Sequence, residues 1–312
     1  MAVYKTYDAT GIREDLADII YNISPTDTPF ISNVGKGSTN GTYYEWQVDS
    51  LATAANNAQV EGADAPAAAA SATTRVGNYT QIASKTVSVS GSNEAADAAG
   101  RASEMAYQLA KAGMELKRDM EFSLVGVDKA QDVGNGTNNP RELGSVYSWL
   151  GTNCLVGAGS GAAPTGDGTD VYTAGTDRDF TEDLLTEVVE DIWEQGGNPS
   201  VIMCGAARKA ELTDFTGTAN QYKSVDPKTI VNAVDIYVSD YGELTVVPNR
   251  HMLTDSVLVL QPDMWSVDYY RDFQTIDLAK TGDADEKQML VEYTLCSKNE
   301  AASGVIRDVA GA

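Results

Sequence analysis

The chain has 312 residues, 42% hydrophobic and 21% charged, enough apolar surface for a substantial core. Its 22 Lys and Arg against 45 Asp and Glu leave a net charge of −23, which excludes a nucleic-acid groove, since such a groove needs positive potential. Three separated cysteines (Cys154, Cys204, Cys296) exclude a disulfide framework and a structural zinc site, and no run approaches the ~18 apolar residues of a membrane span. With no apolar signal region at its start, the chain reads as a soluble protein folded in a reducing cytoplasm.

Ile12, Leu16, Ile19, Ile20 and Ile23 recur at helical spacing behind Thr10, so the spacing predicts a short helix over residues 10–23. Pro25 and Pro29 exclude its continuation and predict an extended arm over 24–33. "GTYYEWQVDS" places Tyr44, Trp46 and Val48 on one face of a strand, and residues 78–90 are expected to return antiparallel to it. The Ala-rich stretch between them is too small to build a core, so the two strands make a long ribbon with a loose tip. A two-stranded ribbon is marginal in water and must lie on its own domain or on a neighbour.

Residues 93–124 contain no proline, with Ser92 or Asn93 as cap, Glu94 and Asp97 in the first turn and Lys117 and Arg118 near the end. A helix of about 45 Å follows. Met105, Leu109, Ala112, Leu116 and Met120 form its apolar stripe. Arg101, Glu104, Lys111, Glu115 and Arg118 lie on other faces, to meet water or charges on a neighbour, and Lys111 and Glu115 have i,i+4 spacing.

Residues 132–179 read as Gly-, Asn- and Thr-rich loops around one ordered piece, "ELGSVYSWL". An α/β-type unit follows: a helix carrying Leu185, Val188, Val189 and Ile192, the buried strand "SVIMC", the short helix "GAARKAELTDF", two strands about Tyr241-Gly242, and "SVLVLQ". The tail returns to β with "SVDYYRDF", "TIDLA", the turn "KTGDADE" and "KQMLVEYTLCSK", in which Met289, Val291, Tyr293 and Leu295 alternate.

Signs of chemistry are few. The single histidine, His251, has no nucleophile beside it in "PNRHML" and reads as structural. No GxxxxGK[ST] is present, and "GAGSGA" at 157–162 is followed by "APTG" where a dinucleotide-binding helix would have to begin. The acidic turns "GDGTDVYTAGTDRD" and "TGDADE" lack EF-hand spacing and read as solvated. No catalytic, metal or cofactor residue is therefore named, and an enzyme is the least supported class.

The order of pieces resembles the major capsid proteins of tailed bacteriophages, the HK97-like fold family. "YDATGIREDLADIIYNISPTDTPF", "EWQVDSL", "RVGNYTQI", "KTVSVSGS", "GRASEMAYQLAKAGMELKRDME", "VVPNR", "AKTGD" and "EYTLCSKNEAA" carry the likeness, which spans nearly the whole chain and is weakest over 132–179. The resemblance implies an α+β, HK97-like capsid fold: an N-terminal arm (1–35), an extended β-ribbon loop (36–90), a peripheral domain with a spine helix (91–140), an α/β axial domain (141–265), and returning peripheral strands with the C-terminus (266–312). It also implies a subunit that self-assembles, as hexamers and pentamers, into an icosahedral virion head enclosing double-stranded DNA without reading its sequence. Assembly in the bacterial cytoplasm, a separate scaffolding protein, a portal and, as a further option, a decoration protein go with it; no cofactor and no membrane do. Inter-subunit contacts are expected at Tyr44, Trp46, Val48, Glu61, Arg75, Arg101, Lys111 and Arg118. An encapsulin-like compartment is the alternative, and a secreted acidic surface protein would need an export signal.

Overall fold

The computed structural model describes residues 26–62, 64, 72–96, 103–215 and 235–310; the helix expected over 10–23 lies outside them. The first half of the described chain forms α1 (Pro29–Asn33), β1 (Gly35–Ser38), β2 (Tyr43–Val48), β3 (Thr74–Tyr79), β4 (Gln81–Ser90), α2 (Gly91–Glu94), α3 (Glu104–Val125) and α4 (Val146–Trp149). Then come β5 (Cys154–Leu155), α5 (Glu182–Glu194), β6 (Val201–Cys204), α6 (Ala206–Asp214), β7 (Ile236–Ser239), β8 (Gly242–Pro248), β9 (Val257–Leu260), β10 (Trp265–Asp277), β11 (Ala284–Ser297) and β12 (Gly304–Ile306).

A four-stranded sheet of order β1-β10-β11-β4 is built around the long β10–β11 hairpin. Helix α3 lies across β4 and β11, and its stripe of Leu116, Met120 and Leu124 is buried in one cluster with Val291, Tyr293 and Leu295. The six-stranded sheet, of order β5-β12-β9-β6-β8-β7, is covered on one face by α5, whose Leu185, Val188, Val189 and Ile192 pack on Ile202, Val259 and Ile306. Alternate residues of the same strands, Met203 and Leu258, point instead into the cluster that holds α3 and α4. Both faces of β6 and β9 are thus buried, which is why their sequences are continuous apolar runs.

The structure departs from the sequence reading in four places. The strand that returns to β2 is β3, residues 74–79, and not 78–90; β4 leaves the ribbon at Thr80 and pairs with β11 over ten residues. Small side chains on β4 let α3 lie close upon it, and β11 offers a long partner that six-residue β2 cannot.

The long helix begins at Ser103, whose Oγ accepts the Ala106 N–H at 3.2 Å, and not at Ser92 or Asn93. Its 22 residues span about 33 Å. Glu94 belongs to the separate turn α2 and caps α3 from outside, accepting the Ser103 hydroxyl at 2.6 Å and the Met105 N–H at 3.0 Å. Pro29 starts a helical turn rather than preventing one, because the first helical position needs no N–H donor. Finally, the tail splits: β10 and β11 enter the four-stranded sheet, whereas β12 inserts between β5 and β9 of the other.

Candidate assembly interface

The ribbon β2–β3 leaves the body from a root of buried polar groups. Asn78, fully buried, accepts the Gly144 N–H at 2.9 Å and donates to the Leu295 carbonyl at 2.9 Å. The Thr80 hydroxyl donates to Glu292 at 2.8 Å, and the Thr80 carbonyl accepts from Arg141 Nε at 2.6 Å. Glu292 is 1% exposed and stands between two guanidiniums, with Arg141 on Oε1 and Arg271 Nε on Oε2 at 2.7 Å. Two cations and a hydroxyl compensate the desolvation of this carboxylate, and the direction in which the ribbon leaves is fixed at the same point.

Along the ribbon the inner face carries Tyr44, Trp46 and Val48, as their alternation predicts, and it faces the same chain: the Trp46 ring lies 5.2 Å from that of Trp149. The outer face pairs Tyr43 with Tyr79 at 4.5 Å between rings and Arg75 with Glu45 at 3.0 Å. Gly77 makes room for this, since a Cβ there would stand 2.9 Å from the Tyr43 ring. Beyond Val48, residues 49–60 form no helix or strand, Leu51 is 99% and Val60 79% exposed, and Glu61 sits in a turn with Gly62 at φ +79°.

The arm is held by a second buried acid. Glu121 accepts the Phe30 and Ile31 N–H groups at 2.7 and 3.0 Å and the Asn249 amide at 2.7 Å, so one carboxylate joins α1, α3 and the end of β8. Burial raises its pKa above the ordinary carboxylate value, and the three donors oppose that shift without cancelling it. On the exposed flank of α3, Lys111 meets Glu115 at 3.8 Å, the pair anticipated from spacing. Arg118 makes no ion pair among the described residues; after burial it is the next influence lowering the pKa of His251. Arg101 lies outside the described residues.

Sequence reasoning missed Asn78, Glu121 and Glu292. The available signal was position: Glu121 shares a helical face with Leu124 and Val125, and Glu292 alternates with Leu290, Thr294 and Cys296 on a strand buried on both sides. The glycine-rich "GAGSGA" is held by the tail, with Gly157 and Gly175 donating N–H groups to Asp308 at 2.8 and 3.0 Å. All three cysteines are free, and burial pushes their thiols up to about 12 (Cys154, Cys296) and about 11 (Cys204). Among the described residues no group of three or more His, Cys, Asp or Glu could hold a metal ion.

A spine-like helix on a long hairpin sheet, a six-stranded α/β unit, a projecting ribbon and an arm strapped beneath the helix define the HK97-like capsid fold. The chain superposes on the capsid protein of a native GTA particle with a TM-score of 0.64, at 11% identity and 98% coverage of either chain. It superposes on that of a satellite phage P4 procapsid, which includes a size determination protein, with a TM-score of 0.55, at 10% identity and 93% coverage of either chain. In sequence it is 28% identical over 343 residues to the major capsid protein of Escherichia phage Phieco32, covering 99% of this chain and 97% of that one. The SU10 major capsid protein model matches residues 3–310, and the chain belongs to that family: it is a tailed-phage major capsid protein, a component of the virion shell.

Two outcomes follow from the buried acids. Glu292→Ala strands two partly buried guanidiniums and is expected to destabilise the unassembled subunit by about 3–5 kcal/mol, read from urea unfolding; a loss typical of a surface pair, below ~1 kcal/mol, would refute the buried-node account. For Glu121 the folded pKa lies above the unfolded one, so the native state holds its proton to higher pH. Its contribution to stability therefore falls as pH rises through the interval between those two values. Unfolding midpoints across that interval should decline more steeply for wild type than for Glu121→Gln, and parallel profiles would contradict the assignment.

Proposed function

We propose that the protein is the subunit of an icosahedral head that encloses double-stranded DNA, assembles as pentamers and hexamers in the host cytoplasm, and performs no catalytic step. One observation carries this reading furthest: the ribbon tip exposes Leu51 and Val60 almost completely while its root is anchored by a buried ionic node. A rigid root and an unsatisfied tip suit a clasp laid over an adjacent subunit. The four-stranded sheet with α3 takes the peripheral role and the six-stranded sheet the axial one, with the tail crossing between them through β12.

In this scheme Trp46, its ring spent on Trp149, positions the ribbon together with Tyr44 and Val48 on the same inner face, while Glu61 and Arg75 meet the neighbour along the clasp. Lys111, Arg118 and Arg101 do so along the spine helix. A separate scaffolding protein, a portal and a decoration protein complete the partners; the size determination protein in the P4 procapsid supports the first class. The net charge of −23 suits a container that does not trap the DNA driven into it.

Replacing residues 52–74 by a short Gly-Ser turn should leave the subunit's melting temperature unchanged and abolish closed shells in electron micrographs; normal shells would overturn the clasp. Arg118→Ala or Arg101→Ala should lower particle yield far more than subunit stability. An exposed helical pair contributes about 0.2–0.5 kcal/mol, whereas truncating one side of a desolvated interfacial pair costs roughly 2–5 kcal/mol. Equal small effects on both measurements would return these arginines to solvent.

A further inference from the structure

The sequence holds two Asn-Gly steps, Asn40-Gly41 and Asn135-Gly136, and each is followed by Thr. An asparagine before glycine is open to attack by the next main-chain nitrogen, because glycine has no side chain to hinder the approach. With the same three residues at both places, a difference in reactivity comes from the fold.

The two steps sit in opposite surroundings. Asn135 Oδ1 accepts the N–H groups of Thr137, Asn138 and Asn139, each at 2.9 Å, and the Asn135 N–H donates to the Asn139 carbonyl at 3.1 Å. Asn139 is tied in turn to Asp132 at 2.7 Å. Turning the Asn135 amide onto Gly136 would break three hydrogen bonds at once. Asn40 is exposed in the turn between β1 and β2, and its amide has no hydrogen bond among the described residues. The Gly41 N–H donates to the Thr39 hydroxyl at the long distance of 3.4 Å, and a Cβ placed on Gly41 would meet nothing nearer than the Tyr43 carbonyl at 3.4 Å. The turn is pinned on both sides: the Thr39 N–H donates to the Tyr269 carbonyl at 3.0 Å, and the Thr42 carbonyl accepts the Thr80 N–H at 2.9 Å.

We propose that Asn40 is a site of self-modification, converting to isoaspartate in the folded subunit while Asn135 stays intact. The Gly41 nitrogen, its proton taken by water, bonds to Asn40 Cγ; the bond from Cγ to the side-chain nitrogen breaks, and that nitrogen leaves as ammonia. Water then opens the five-membered imide. Attack at the main-chain carbonyl leaves the chain running through the former side chain, one methylene longer and one negative charge richer. The net change is one water consumed and one ammonia released. Between two pinned residues the extra methylene has no slack to enter, so it acts on the Thr42–Thr80 bond at the ribbon root.

Incubating the unassembled subunit in mildly alkaline buffer and mapping its peptides tests this, with isoaspartate read by enzymatic methylation of the new carboxylate. In the folded protein, modification at Asn40 should run about tenfold or more ahead of Asn135, since three hydrogen bonds protect the latter. In urea the two steps should react at similar rates. Gly41→Ala should slow the reaction at Asn40 and leave Asn135 as it was. In hydrogen exchange the Thr80 amide should open faster in the isoaspartate form and stay protected in freshly made Asn40→Asp, which carries the charge without the extra methylene. Equal rates in the folded chain overturn the proposal, and so does a faster reaction at Asn135, whose N–H groups would then be stabilising the developing oxyanion. A Gly41→Ala chain that reacts as fast as wild type overturns the route through the imide. Unchanged Thr80 exchange in the isoaspartate form overturns the effect on the root.

Discussion

The direction in which the ribbon leaves the body depends on where Glu292 is held. This carboxylate sits on β11, which lies between β10 and β4 in the four-stranded sheet, and it is closed on by Arg141 from the loop before α4 and Arg271 from β10. Thr80, the residue at which the ribbon ends and β4 begins, is its fourth member. Buried ion pairs of this kind contribute little net stability, because the desolvation penalty consumes most of the attraction. What they do well is penalise alternatives: a shifted ribbon would forfeit both the Thr80 hydroxyl on the buried Glu292 carboxylate and the bond from Arg141 to the Thr80 carbonyl.

The same logic recurs at the other junctions. Glu121 fastens the arm to the spine helix and to Asn249, and Asp128 holds Arg307, whose guanidinium also lies over the rings of Tyr147 and Tyr172. Asp308, at φ +55°, fastens the glycine-rich loops. Apolar burial makes the two halves; buried charges specify how they are joined. A shell subunit is pulled on by its neighbours, and joints that fail only when several hydrogen bonds break together suit that duty better than a slippery apolar contact.

The small, polar composition of β4 has a related explanation. Its inner residues need no bulk, because α3 approaches closely and β11 supplies the large side chains. Its outer face, with Ile82 half exposed among Ser84, Thr86 and Ser88, is a flat surface on the outer strand of the sheet. Hydroxyl-bearing residues keep such an edge soluble before assembly while leaving it free of obstruction.

Element type was legible in the sequence wherever one periodicity persisted. The α5 stripe, the continuous apolar strands β6 and β9, and the Met289 to Leu295 alternation each follow from one face seeking burial, and that is a local property. The ribbon's inner face and the Lys111–Glu115 pair were readable for the same reason. Partnership was not. Whether residues 78–90 pair with β2 or with β11, whether the helix starts at Asn93 or Ser103, and where β12 inserts are settled by competition between segments up to some 200 residues apart. The buried acids were hidden by the chain's own abundance of carboxylates, since only the fold distinguishes Glu121 and Glu292 from the many that face water. The sequence determined the repertoire of faces and strands; the tertiary structure decided which met, because burial of a face is local in pattern but its partner is chosen by the whole chain.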